Sequence, residues 1–311
     1  QLNRVLPILA SKDTRVPFIT VEEMLAYNDG KNLSLWQLAA RYESMRGNIS
    51  EEKVFSKMNE IRLILRDAVE TGLKGTEFED RILGPQSVKF KAMMEDKKLV
   101  DGDVLNRIIM YVSAIMEVKS SMGVIVAAPT AGSCGAMPGA VLGVADALGL
   151  SEEETVKALL IAGLIGVFIA AHATFAAEVG GCQAECGAGA TMAAAALVYL
   201  GGGTLPQSLS AASMALQSSL GLICDPIGNR VEAPCLNRNV MAASNALSCA
   251  NMALADYDHL IPLDEVIETM YEVGKSIPNT LRCTNLGGLS ITKTAKEIEQ
   301  RLGQKQFFKS C

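Results

Sequence analysis

ALLIAGLIGVFIAAHATFAA, residues 158–177, is a run of twenty residues without Asp, Glu, Lys or Arg. A helix of this length and composition could cross a bilayer. Acidic residues flank the run on both sides and Lys157 is the only cation beside it, which is unfavourable at a membrane surface. We therefore expect a helix buried on all sides within a large helical protein, with a membrane span as the alternative.

Helical patterning extends from this run in both directions, because apolar residues recur at three- and four-residue intervals. The predicted helices cover 21–27, 35–45, 51–71, 87–94, 104–117, 137–148, 153–171, 183–200, 206–220, 234–255, 263–275 and 293–302. Asn32 and Ser50 are the predicted N-caps. No strand-like alternation is sustained, although 124–128 is short enough to be a strand. The prediction is an all-α protein whose Ala- and Gly-rich central helices surround a cysteine-lined site.

Composition favours one large domain. With 311 residues, 49% of them hydrophobic, the chain can bury a sizeable core. We divide it into a charged helical region at 1–101, a Gly- and Ala-rich core at 102–292, and a C-terminal helix and tail at 293–311. A net charge of −6 without a basic run gives no electrostatic footprint for nucleic acid or an anionic membrane. The start of the sequence has no secretory signal, so we expect a cytoplasmic protein.

Eight cysteines in so large a chain indicate free or metal-bound thiols, because disulfide frameworks belong to small secreted domains. Cys182, Cys224 and Cys235 lie in segments rich in Gly, Pro and small residues, which can crowd around an inorganic group. Cys186 would share a helical face with Cys182, but no pair of CxxC motifs supports a zinc site. Ordinary packing of these cysteines is the alternative.

Three further features suggest chemistry. Residues 129–135, PTAGSCG, form a bend before a helix, where backbone N–H groups and hydroxyls can hold a carboxylate or phosphate. A simple helix N-cap is the alternative. His172 and Lys119 are candidate bases, with a core histidine and a solvated helix end as the respective alternatives.

Five motifs resemble those of one family, the α chain of iron-sulfur L-serine dehydratase. They are APTAGS at 128–133, GCQAE at 181–185, CDP at 224–226, VEAPC at 231–235 and RN at 238–239. The resemblance implies that the whole chain, 1–311, is a catalytic domain of this kind. It also implies that a 4Fe-4S cluster with one open iron is held by Cys182, Cys224 and Cys235, and that Cys311 is an exchangeable fourth ligand. The substrate would be bound by Thr130, Ala131, Gly132, Ser133 and Arg238.

The same resemblance implies a lyase of amino-acid catabolism and gluconeogenesis. It would deaminate L-serine to pyruvate and ammonia, with the open iron acting as a Lewis acid. The β part of the family, with its Ser-Ser-Ser-His-Thr sequence, is absent, so we expect a separate β chain and an oligomeric assembly. A lyase similar to a cysteine desulfidase is one alternative, and a non-enzymatic iron-sulfur sensor or electron-transfer subunit is another.

Overall fold

The computed structural model describes residues 16–307, with side chains to Gly303. Thirteen α-helices lie within this range: α1 Val21–Asn28, α2 Leu35–Gly47, α3 Glu51–Lys74, α4 Ser87–Glu95, α5 Asp103–Ser120, α6 Ala136–Ala147, α7 Glu152–His172, α8 Ala177–Gly180, α9 Ala188–Leu200, α10 Leu205–Gln217, α11 Cys235–Leu254, α12 Leu263–Ser276 and α13 Lys293–Phe307. A π-helical segment, Gln183–Gly187, leads directly into α9. The predicted ligand Cys311 lies outside the described residues.

Polar side chains begin several of these helices. Ser50 caps α3 as predicted, because its hydroxyl accepts a hydrogen bond from the Lys53 N–H at 3.3 Å. The predicted cap Asn32 is wrong. It lies in a turn with a φ of 52°, and α2 instead begins after Ser34, whose backbone N–H donates to the Gln37 side chain at 2.9 Å.

The centre of the fold is α9, in which every residue except Tyr199 is buried. It packs against α6, α7, α10 and α11, and its many alanines let these neighbours approach closely. One connected cluster of buried apolar side chains extends from Phe18 to Met270. The division of the chain at 101 and 292 stays a prediction.

The apolar run at 158–177 forms most of α7. This helix is long and apolar enough to span a membrane by length and composition, but 67% of its apolar window is buried within the fold. It packs against α2, α3, α6, α9 and α12. This burial is typical of a core helix, although Gly163, Val167 and Ala170 are not buried and the helix is therefore not enclosed on all sides as predicted.

No strand occurs among residues 16–307, which confirms the all-α prediction. Residues 124–128, the one candidate strand, lie outside any helix and make no ladder. A single parallel bridge joins Cys224 to Arg282. This bridge brings the chain after α12 alongside one of the predicted ligand cysteines.

Candidate active site

The Cys182 segment is fixed to the segment that leads to Cys224. Gly181 has a φ of 73°, and a Cβ added there would lie 2.8 Å from the Leu222 carbonyl oxygen, so glycine permits the close approach. The Gln183 backbone N–H donates to the same carbonyl at 3.1 Å. The buried Gln183 side chain also accepts a hydrogen bond from the Gly221 N–H at 2.8 Å. These contacts place Cys182 next to the second predicted ligand segment.

The loop between Cys224 and Cys235 is held by a buried carboxylate, that of Asp225. It accepts hydrogen bonds from Arg238 at 2.5 Å and from the Leu289 N–H at 2.6 Å. At Gly288, which has a φ of 60°, an added Cβ would lie 2.3 Å from the Asp225 carboxylate. Arg238, predicted to bind substrate, is thus engaged in an ion pair with this loop.

The N-terminal region holds the other end of the same loop. The Glu232 carboxylate is buried and accepts hydrogen bonds from the backbone N–H groups of Ile82 and Leu83, at 3.0 and 2.7 Å. Arg230 donates to the Asp80 carbonyl oxygen at 3.1 Å. Residues 80–83 therefore support the loop that carries two of the predicted ligands.

The three predicted ligand thiols are buried, and Cys182 lies within electrostatic range of the other two. Cys182, Cys224 and Cys235 are 3%, 3% and 6% exposed. Burial and then the charge of Cys182 raise the pKa of Cys235 to about 12. The charge of Cys182 also helps to raise the pKa of Cys224, after a hydrogen bond to Cys283 and burial. The fold therefore brings Cys182 near Cys224 and Cys235, from which it is 42 and 53 residues away in the sequence.

Two further thiols accompany these three. The neighbouring Cys186 thiol lowers the pKa of Cys182. Cys283 lies beside Cys224, which lowers the pKa of the Cys283 thiol. Its backbone N–H donates to the Cys224 carbonyl oxygen at 2.7 Å. Cys283 could not be placed here from sequence alone, because the contact depends on the bridge beside Cys224.

The bend at 129–135 is attached to α11 by the buried side chain of Asn239. Its amide oxygen accepts from the N–H groups of Gly135 and Ala136, at 3.1 and 3.0 Å. Its amide nitrogen donates to the carbonyl oxygens of Gly132 and Cys235, both at 2.9 Å. Asn239 therefore joins the predicted anion-binding bend to a predicted ligand.

Donor groups in the bend are left without partners. Within the described residues, the N–H groups of Ala131 and Gly132 make no hydrogen bond. The buried Ser133 hydroxyl also has none. Unpaired donors at a bend before a helix can hold an anionic ligand.

Cys134, in the same bend, has a different environment. It is fully buried against Met116, and burial raises the pKa of its thiol to about 12, so it is a packed and unreactive cysteine.

A carboxylate and a lysine complete the site. Glu185 accepts a hydrogen bond from the Thr130 hydroxyl at 2.6 Å, and burial raises the pKa of this carboxyl group. The half-buried Lys119 at the end of α5 lies within electrostatic range of Glu185, Cys134 and Cys235. Burial lowers the pKa of its amine despite these neighbours. The sequence interpretation assigned no role to Glu185, since 55 residues separate it from Thr130.

His172 has a different environment. It ends α7, and its Nε2 lies 3.0 Å from the Ile19 carbonyl oxygen. This contact is with the segment before α1 rather than with the thiols. Its catalytic role stays a prediction. Within the part of the chain that the structure describes, no three His, Cys, Asp or Glu side chains are grouped closely enough to hold a single metal ion.

These observations define the class of protein. It is an all-α protein in which buried thiols, a lysine and a carboxylate lie near a Thr–Gly–Ser bend. The chain belongs to the serine dehydratase alpha chain family, whose sequence profile matches residues 30–290. This confirms the resemblance seen in the motifs.

Individual relatives agree over most of the chain. It is 37% identical to the probable L-serine dehydratase alpha chain of Bacillus subtilis (strain 168), over 92% of this chain and 95% of the relative. It is 35% identical to the L-serine dehydratase alpha chain of Peptoniphilus asaccharolyticus, over 90% and 97%. With L-serine dehydratase TdcG of Escherichia coli (strain K12) it shares 34% identity, over 90% of this chain but only 63% of the relative. The chain thus matches alpha chains along nearly their whole length.

Proposed function

We propose that this protein is the alpha chain of an L-serine dehydratase that converts L-serine to pyruvate and ammonia. The observation that supports the proposal is that Cys182 lies within electrostatic range of both Cys224 and Cys235, and that Asn239 joins Cys235 to the Thr130–Ser133 bend. Three buried thiols next to unpaired backbone donors suit an inorganic group with an anionic substrate beside it.

The donor set fits a 4Fe-4S cluster. Thiolates are the ligands that such clusters take, and a cluster separates its ligands more widely than a single ion does. Arg238 lies within electrostatic range of Cys182 and Cys235 and would offset the negative charge of a thiolate-bound group. We propose Cys182, Cys224 and Cys235 as its ligands and Cys311 as an exchangeable fourth. Once bound, the cluster would supply Lewis acidity for loss of the substrate hydroxyl.

The chain's own residues would bind and orient the substrate. The free N–H groups of Ala131 and Gly132, with the Ser133 hydroxyl, would hold its carboxylate, while the Thr130 hydroxyl stays donated to Glu185. Arg238 would keep the ligand loop in place through Asp225 and add positive charge. Lys119 is the proposed acceptor of the Cα proton, because its amine lies close to the bend and the thiols.

The names of the relatives as alpha chains suggest a partner. We propose a separate β chain, an oligomeric assembly and a cytoplasmic location, and a role in serine catabolism that feeds gluconeogenesis. The test is anaerobic purification with iron and sulfide analysis, followed by a pyruvate assay with and without the β chain of a relative.

Pyruvate from L-serine, with iron and sulfide bound, is the expected result. Sulfide release from L-cysteine without pyruvate from L-serine would instead favour a desulfidase. A bound cluster whose spectrum does not change on adding either amino acid would favour a sensor or electron-transfer subunit.

A further inference from the structure

We propose that the Glu185 carboxylate is the subsite that binds the α-ammonium group of the amino-acid substrate. The proposal rests on the proposed function, because it assumes an amino acid at the bend. It assigns a specificity role to a residue for which the sequence interpretation gave none.

Contacts place this carboxylate against the bend. Oε1 accepts a hydrogen bond from the Thr130 hydroxyl at 2.6 Å, and a Cβ added at Gly132 would lie 2.6 Å from the same oxygen. Oε2 receives no hydrogen bond from any residue of the described range, and Glu185 is partly open to solvent. One carboxylate oxygen is therefore anchored and the other can accept a hydrogen bond from a ligand.

The same carboxylate lies near the predicted ligands. It is within electrostatic range of Cys134, Cys182 and Cys235, which come from three different segments of the chain. Together with the hydrogen bond to Thr130, this places Glu185 beside both the bend and the thiols, where a substrate of the proposed reaction would lie.

The charges of the site match a zwitterion. The free N–H groups of the bend suit a carboxylate, while Glu185 suits an ammonium group. Only the ammonium group distinguishes L-serine from L-glycerate, which carries a hydroxyl there. Glu185 would therefore make the site select amino acids over hydroxy acids.

The test compares dissociation constants for L-serine and L-glycerate, measured by calorimetry on anaerobically purified protein with its cluster. In Glu185→Gln the carboxylate becomes a neutral amide of the same shape. A charge-assisted hydrogen bond is lost, so we expect the constant for L-serine to rise about 10- to 100-fold. The constant for L-glycerate should stay within about threefold of the unaltered protein, because no charged contact is removed. Glu268→Gln, at an exposed position on α12, is the matched control and should change neither constant.

The alternatives have separate signatures. Unchanged L-serine binding in Glu185→Gln would overturn the inference, and so would loss of iron, since Glu185 would then support the cluster. If Glu185→Gln does not fold, the two dissociation constants of the unaltered protein test the inference. Equal affinity for L-serine and L-glycerate would contradict an ammonium subsite. Unaltered protein that binds L-glycerate but neither binds L-serine nor makes pyruvate would refute the proposed function as well.

Discussion

Asn239 shows how one buried amide organises the site at the scale of a residue. It satisfies two N–H groups of the bend, and it donates to two carbonyl oxygens and to the Cys186 sulfur at 3.7 Å. A buried backbone group left without a partner is costly, so the bend depends on this side chain.

Asn239→Ala should therefore lower the free energy of unfolding by at least about 2 kcal/mol, because several buried polar groups lose their partner. Urea unfolding measures the change. Asn251→Ala, an exposed position on the same helix, is the matched control and should lie within about 0.5 kcal/mol of the unaltered protein. Equal losses in both variants would contradict this role of Asn239.

The contacts of Asp146 predict that the stability of the protein depends on pH. Burial alone would raise the pKa of this carboxyl group, but Arg66, at 2.5 and 2.8 Å, and Tyr111, at 2.7 Å, outweigh it. The folded pKa therefore lies below its ordinary value of 3.8. The group contributes stability above that value, and the contribution disappears as the pH falls through the folded pKa.

Asp146→Asn should consequently destabilise the protein most above about pH 5, with the difference shrinking below about pH 4. Urea unfolding at a series of pH values measures it. Asp67→Asn, an exposed carboxylate on α3, should show no such trend. A pH-independent difference for Asp146→Asn would refute the assignment.

The three predicted ligands and the bend could be located from the sequence, because short motifs carry them. Glu185 and Asn239 lie within the same motifs, but their contacts could not be predicted, and Cys283 lies outside the motifs. Thr130 and Glu185 are 55 residues apart, and Gly132 and Asn239 are 107 apart, so only the packing of the helices brings them together. Arg238 was predicted for the substrate, but its contact with Asp225 depends on the loop geometry.

At the scale of the element, periodicity located the predicted helices well, and their ends less well. The helix predicted at 183–200 begins as the π-helical segment Gln183–Gly187. Apolar spacing does not distinguish these two helical forms over one turn. Asn32 was mistaken for a cap because Asn suits both caps and left-handed turns.

Glycines in two helices give opposite predictions. Gly163 in α7 has open space where a Cβ would be added, beside a cavity of about 600 Å³ between α2, α3 and α7. Gly72 in α3 lies against α5, and an added Cβ would be 2.4 Å from the Ala114 carbonyl oxygen. Gly163→Ala should stabilise by about 0.5–1 kcal/mol, since alanine favours a helix interior.

Gly72→Ala should destabilise by about 1–3 kcal/mol, because α3 and α5 must move apart. Thermal unfolding of both variants tests the pair. A shift of both thermal unfolding midpoints in the same direction would contradict this packing of α3 and α7.

At the scale of the whole molecule, the N-terminal helical region supports the site built by the rest of the chain. The charged composition of residues 1–101 does not predict this support. The backbone N–H groups of Ile82 and Leu83 contact Glu232, which is 150 and 149 residues away in the sequence. The all-α class was predictable, since the buried apolar run and the helical spacing agreed with each other.

Glu232→Ala should release this support. With their acceptor removed, the backbone amides of Ile82 and Leu83 should exchange with solvent about tenfold faster or more. Hydrogen exchange followed by mass spectrometry measures the rates. Glu77→Ala, at an exposed position of the same region, should leave them unchanged. Unchanged exchange in Glu232→Ala would mean that other contacts hold 80–83.

The central claim is that three distant cysteines share one inorganic group. The direct measurement is iron and sulfide per chain after anaerobic purification of four variants: Cys182→Ser, Cys224→Ser, Cys235→Ser and Cys249→Ser. We predict that the first three lose the cluster. Cys249 lies on α11 and contacts Asn245 of the same helix. The Cys249→Ser variant should therefore keep the cluster. Equal iron in all four variants would contradict the claim.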